Sequence, residues 1–133
     1  MKGCVIDCSF FIASLMPDEN VNGFNFDEQN VFVPAIFFLE CSNVLLTANK
    51  KERLDAASYD ECIKALYDLQ FRVDSFSSSN HSVFTISHLA QKYNLTSYDA
   101  SYVELALRLG VCLGSLDKQI VKACKDLSIK IIN

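Results

Sequence analysis

Residues 2–9 read Lys2-Gly3-Cys4-Val5-Ile6-Asp7-Cys8-Ser9. Cys4, Val5 and Ile6 run without a polar break and stop at a carboxylate. An unbroken short apolar run, rather than an alternating one, is the pattern of a strand covered on both faces, as in parallel sheets. Parallel strands need crossover connections, usually helices. Ser9 can cap a short helix over 10–16 that ends before Pro17. Asn22-Gly23 then marks a turn in a polar stretch.

Working outward, the same alternation recurs. Val31-Phe32-Val33 is β-branched and aromatic, so it predicts a second strand. Pro34 suits the first position of a helix over 35–49. Residues 54–70 carry Tyr59, Cys62, Ile63, Leu66 and Leu69 at intervals of three and four, which marks an amphipathic helix. Residues 71–76 alternate and predict a strand. A helix over 80–93 follows, and Asn94 can end it in a left-handed conformation. Thr96 or Ser97 caps the next helix, which ends at Gly110. A strand over 111–113, a helix over 118–127 and a strand over 129–132 complete the chain. Strands alternating with helices predict an α/β domain with a mainly parallel central sheet flanked by helices. At 133 residues, with half of them apolar, the chain is expected to form one domain, 1–133.

Composition narrows the function. No apolar run approaches the roughly 18 residues of a membrane span, and no secretory h-region is present, so a cytoplasmic protein is expected. The six cysteines form no C-x-x-C pair and lie near no histidine, which argues against a zinc site and for reduced, buried thiols. A net charge of −4 argues against a broad basic nucleic-acid surface. It leaves room for a nuclease whose acids surround a metal ion.

Four of the 16 acids stand apart from the polar segments. Asp7 ends the first strand, and Asp117 follows the strand over 111–113. Ligands of open parallel sheets bind outside the carboxyl ends of the strands. Glu40 sits inside Ile36-Phe37-Phe38-Leu39-Glu40-Cys41, with Asn43 the only polar neighbour on its helical face and no basic residue within a turn. A carboxylate there needs compensation. Asp99 occupies the first turn of its helix, beside Tyr102, Val103 and Ala106. Each acid also has a plainer reading. Asp7 and Asp117 can cap the helices that follow them, and the helix dipole alone can explain Asp99. Together, on elements that can converge at one sheet edge, they form a set of hard oxygen donors suited to Mg²⁺ or Mn²⁺.

The motifs Val5-Ile6-Asp7-Cys8-Ser9, Val33-Pro34-Ala35 through Phe38-Leu39-Glu40, Leu95-Thr96-Ser97-Tyr98-Asp99-Ala100 and Leu116-Asp117 resemble the PIN-domain family. They are most similar to its VapC-type toxins of toxin–antitoxin pairs. The resemblance spans nearly the whole chain. It implies a three-layer PIN fold and a divalent-metal endoribonuclease whose acids fall on Asp7, Glu40, Asp99 and Asp117. It also implies a homodimer and a small antitoxin partner that fills the active-site groove. Ser9 takes the place of a small hydroxyl residue that supports the metal ligands, and Asn43 is a second candidate for that role. Cys8 departs from the usual small or hydroxyl residue, and Gln119 stands where some members carry a further acid.

RNA must also be held by its phosphates. Lys118 adjoins Asp117 and shares a helical face with Lys122 and Lys125. Lys50, Lys51 and Arg53 form a second basic cluster. Both read equally as solvated faces. Phe10, Phe11, Phe24 and Phe26 are candidates for base stacking, core packing or, for Phe24 and Phe26, contact with an antitoxin. Two other readings remain open. A catalytically inert PIN-like binding module would keep the fold without the chemistry. An acidic-nucleophile phosphatase or receiver domain also places an Asp at a strand end, but the D-x-D expected of the former is absent, because Ser9 follows Cys8.

Overall fold

The computed structural model describes residues 3–16 and 24–132. The expectations for Lys2, Pro17 and the Asn22-Gly23 turn lie outside them. Within them the chain runs β1 (Cys4–Ile6), α1 (Cys8–Leu15), β2 (Val31–Pro34), α2 (Phe37–Lys50), α3 (Ala56–Tyr67), β3 (Arg72–Asp74), α4 (Val83–Tyr93), α5 (Ser97–Leu109), β4 (Cys112–Gly114), α6 (Lys118–Asp126) and β5 (Ile131–Ile132). The five strands form one sheet in the order β3-β2-β1-β4-β5. Every neighbouring pair is parallel, so the sheet is fully rather than mainly parallel. Helices flank it in a three-layer α/β arrangement.

The strand order carries the functional logic. From β1 the chain steps outward to β2 and β3, then returns to the other side of β1 for β4 and β5. The order therefore reverses between β1 and β4. In open parallel sheets this switch point leaves a crevice beyond the carboxyl ends of the two strands. Asp7 follows β1 and Asp117 lies just past β4, so both acids stand at that crevice.

The core explains why these elements form. Cys4, Val5 and Ile6 are all buried, as the unbroken apolar run requires for a central strand. Helix α5 is buried along one continuous stretch from Ala100 to Ala106 and packs on β1, β2 and α4. Gly114 pairs with Ile6 across β1 and β4. A Cβ at Gly114 would lie 2.7 Å from the Ile6 side chain and 3.2 Å from the Phe10 ring, so a side chain there would force the tip of Ile6 and the Phe10 ring to shift.

Local signals set the helix ends. Thr96 caps α5 by accepting a hydrogen bond from the Asp99 amide at 3.0 Å. Asn94 ends α4 at φ +54°, and Gly110 ends α5 at φ +67°, both left-handed as the sequence predicts. Three expectations need correction. Asp7, not Ser9, caps α1, which starts at Cys8 rather than Phe10. Pro34 does not open α2. It is the last residue of β2, opposite Asp74 of β3, and α2 starts at Phe37. Proline fits a strand end as well as a helix start, and strand pairing decided between them. The helix expected over 80–93 is shorter, because Phe76–Ser78 and Asn80–Ser82 form single 3₁₀ turns before it. All six cysteines are free thiols. Among the described residues no helix is long and apolar enough to cross a membrane.

Candidate functional site

Asp7 is the fixed point of the acidic edge. It is only 3% exposed, and both its oxygens are engaged. Oδ1 accepts from the Ser9 hydroxyl at 2.7 Å and from the Phe10 amide at 2.9 Å, while Oδ2 accepts a short hydrogen bond from the Ser115 hydroxyl. The two serines extend this to the segment after β4. Ser115 Oγ accepts from the Asp117 amide at 3.0 Å, and Ser9 Oγ accepts from the Leu116 amide at 3.0 Å. Both hydroxyls thus take a backbone N–H and give their own proton to Asp7, which orients its carboxylate. An ionised carboxylate offers about four acceptor positions. Three are used here, leaving one for a ligand.

Asp117 caps α6 through Oδ1, accepting from the Gln119 and Ile120 amides at 2.9 and 3.0 Å. The capping reading is therefore correct for both strand-end acids, and it holds them in place rather than competing with a second role. Glu40 lies in the first turn of α2, and its Oε1 accepts from the Tyr102 hydroxyl at 2.6 Å. Asp99 lies in the first turn of α5, three residues before Tyr102.

The four acids are electrostatically linked. Burial pushes the Asp7 carboxyl up, against the pull of Ser115, the Phe10 amide and Ser9, and Asp117 pushes it further. Burial also raises Glu40, opposed by Tyr102 and reinforced by Asp99 and Asp7. Asp99 is raised by burial and by Asp117, with Thr96 opposing. The ion pairs among the described residues join Lys64 to Asp68 and Arg108 to Asp74 and Glu104, and none of them includes the four acids.

By donor chemistry these four acids suit a hard divalent cation: oxygen only, like-charged and, among the described residues, in no ion pair. They do not form a closed cage. Among the described residues no three His, Cys, Asp or Glu side chains are already gathered to hold a metal ion. An ion that keeps several of its own waters suits such an open set.

A pH prediction follows with a definite sign. Carboxyls raised in the folded state bind protons that the unfolded chain, titrating near about 4, has already released. Stability from this source is full below that value and is lost as pH rises through the raised values. Metal-free protein should therefore lose thermal stability as pH rises above the ordinary carboxylate value of about 4, and Glu40→Gln with Asp99→Asn should flatten that slope. Calorimetric melting of both proteins across this range checks it. Parallel slopes would show that the acids do not burden the fold.

The other candidates are placed as follows. Asn43 is exposed on α2, and the hydroxyl that meets Glu40 is that of Tyr102. Lys118, Lys122 and Lys125 are exposed along α6, beginning beside Asp117. Phe10 and Phe11 are buried. Phe24 and Phe26 pack on Phe10 with centroids 5.4 and 6.3 Å away, and Phe26 also meets Phe71 at 5.7 Å. These rings belong to an internal aromatic cluster rather than to a stacking surface. Tyr102 and Ser115 were given no role from sequence. Tyr102 carried a usable signal, since three residues on a helix place it on the same face as Asp99. Ser115 carried only its position one residue past β4.

No family model matches the sequence, and no curated protein sequence matches it. Solved structures do. The crystal structure of PAE2754 from Pyrobaculum aerophilum is similar at a TM-score of 0.71 and 20% identity, over 98% of this chain and 91% of that one. The crystal structure of FitAcB from Neisseria gonorrhoeae is similar at a TM-score of 0.63 and 13% identity, over 98% of this chain and 96% of that one. At such identities the likeness is one of architecture, and the chain has a PIN-like α/β fold.

Proposed function

We propose that this chain is a divalent-metal-dependent endoribonuclease acting as the toxin of a toxin–antitoxin pair. The observation that supports the reading is that Asp7, Glu40, Asp99 and Asp117 act on one another electrostatically, with Asp7 and Asp117 beside the switch point of a parallel sheet and, among the described residues, none of the four in an ion pair. Like charges are gathered at such a cost where a function uses them. Asp7, Glu40, Asp99 and Asp117 would hold Mg²⁺, with Mn²⁺ as a substitute, and a bound ion of this kind supplies an acidified water and neutralises charge on a phosphodiester.

The protein's own part is positioning. Ser9 and Ser115 hold the Asp7 carboxylate in one orientation through protons that their backbone contacts leave no other use for. Tyr102 does the same for Glu40. Such outer contacts are worth roughly ten- to a hundredfold in metal affinity or activity. Lys118 stands beside Asp117 and can meet a substrate phosphate. The toxin role, the antitoxin partner and homodimerisation come from the motif resemblance.

Calorimetric titration of Mn²⁺ into antitoxin-free protein, paired with an RNA cleavage assay in Mg²⁺ and in chelator, tests the reading. Metal binding and chelator-sensitive internal cutting are expected. An absence of both would favour the inert binding module. Hydrolysis of a phosphomonoester without RNA cutting would favour the phosphatase.

A further inference from the structure

A cleft of about 460 Å³ opens at the same carboxyl edge of the sheet, on the β2 and β3 side of the acids. Its floor and walls come from the end of β2 and the turn after it (Pro34, Ala35, Ile36), from α4 (Val83, Ile86) and from the start of α5. It adjoins the acidic cluster through the chain itself. Tyr98 on its rim immediately precedes Asp99, and the Ile36 carbonyl in its wall accepts the Glu40 amide at 2.9 Å. Its volume falls within the ordinary range for small-molecule sites, roughly 300–1,000 Å³.

The lining has an unusual chemistry. Among the described residues no charged side chain faces the cleft, and serines are the main polar groups. Five of them, Ser77, Ser78, Ser79, Ser82 and Ser101, donate their hydroxyl protons to backbone carbonyls. A hydroxyl whose proton is committed still carries two acceptor lone pairs, one of which on Ser77 already takes the Ala35 amide at 3.2 Å. The cleft therefore combines apolar walls with hydrogen-bond acceptors. Tyr98 is 59% exposed, so its ring is free to stack. A charged ligand finds no partner here. A flat, neutral ring with N–H donors on its edge finds both a stacking face and acceptors.

We propose that this cleft seats one nucleobase of a single-stranded RNA, stacked on Tyr98, and that it favours a base with an exocyclic amine over uracil. The proposal rests on the reading of the acids as an RNA-cutting site, because the neutral cleft beside an anionic edge matches a base beside its phosphate. Adenine, cytosine and guanine bring an amine to the serine oxygens. Uracil brings two carbonyls around a single N–H and meets those oxygens acceptor to acceptor. Stacking of a base on an aromatic ring holds single strands without needing charge.

The test uses the four nucleoside 5′-monophosphates as probes of the full chain in chelator, read by amide chemical shifts. AMP, CMP or GMP should shift the amides of residues 77–87 and 97–101 and saturate, with UMP weakest. Tyr98→Ala should weaken this binding about tenfold, within the range measured for single base–aromatic stacks. Ser87→Phe, at an exposed rim position, should block the cleft without unfolding the chain. Absence of shifts with all four nucleotides overturns the proposal. So does UMP binding most tightly, or binding that ignores Tyr98→Ala. Shifts with phenol alone would mark a seat for a protein side chain and overturn it as well. The nucleotide titration needs no metal, so binding there together with no RNA cutting in Mg²⁺ would sustain the cleft and sink the nuclease, while RNA cutting in Mg²⁺ without nucleotide binding would do the reverse.

Discussion

Asp7→Asn should lower metal-dependent RNA cleavage by at least about a hundredfold, on the order of 3 kcal/mol of transition-state stabilisation, while leaving the chain folded. The substitution separates two roles that Asp7 performs at once. Asparagine is as good a helix N-cap as aspartate, so its oxygen can keep the Phe10 amide and the Ser9 hydroxyl. The other carboxylate oxygen becomes an amide nitrogen. Ser115 then meets a donor where it had an acceptor, and its hydroxyl already accepts the Asp117 amide. That mismatch costs stability, and the loss of a buried charge returns some of it. Melting temperature should move by no more than a few degrees, and far-ultraviolet circular dichroism should be unchanged. The acceptor position proposed to face the metal is lost outright. Cleavage at the native rate in antitoxin-free protein would remove Asp7 from the site and, with it, the centre of the proposed cluster.

The residues that sequence made legible are those whose signal is local. Val5 and Ile6 announce a central strand because both faces must be apolar. Asn94 and Gly110 announce helix ends because left-handed backbone favours them. Asp7 and Asp117 could be placed at one edge because parallel strands put all their carboxyl ends together. What was not legible depends on residues far apart in the chain. Tyr102 meets Glu40 across 62 positions, and Ser115 meets Asp7 across 108. No helical period or turn signal encodes such pairs. Glu40 looked uncompensated within its own turn, and its partner came from another helix. For Phe24 and Phe26 the polar stretch leaves stacking, core packing and partner contact open, and the rings that receive them lie on α1 and next to β3. The serine-lined cleft was invisible for the same reason, being assembled from β2, α4 and α5.

Phe10→Ala should be the most destabilising single change near the site, at about 3–5 kcal/mol, a large share of the 5–15 kcal/mol typical of a domain. Phe10 is fully buried. It stands edge-on to Phe24 at 5.4 Å and to Phe26 at 6.3 Å, and its other side lies over Gly114. Truncation removes ring burial, two aromatic contacts and the filling of the space that Gly114 leaves open. The glycine has no side chain to move into the gap, so collapse should be poor and the cost should fall in the upper part of the range. For a chain of this length that corresponds to a fall in melting temperature of roughly 10–15 °C. Phe26→Ala should cost less, since Phe26 is half-buried, and a double-mutant cycle should show coupling of roughly 0.5–1.5 kcal/mol between the two rings. Phe10 acts on the active edge only through its backbone, whose amide holds Asp7 Oδ1. Cleavage per folded molecule at low temperature should therefore survive Phe10→Ala, while Asp7→Asn should lower it at least about a hundredfold. Loss of activity in folded Phe10→Ala protein would instead mean that the first turn of α1, and not the Asp7 carboxylate alone, sets the geometry of the acids.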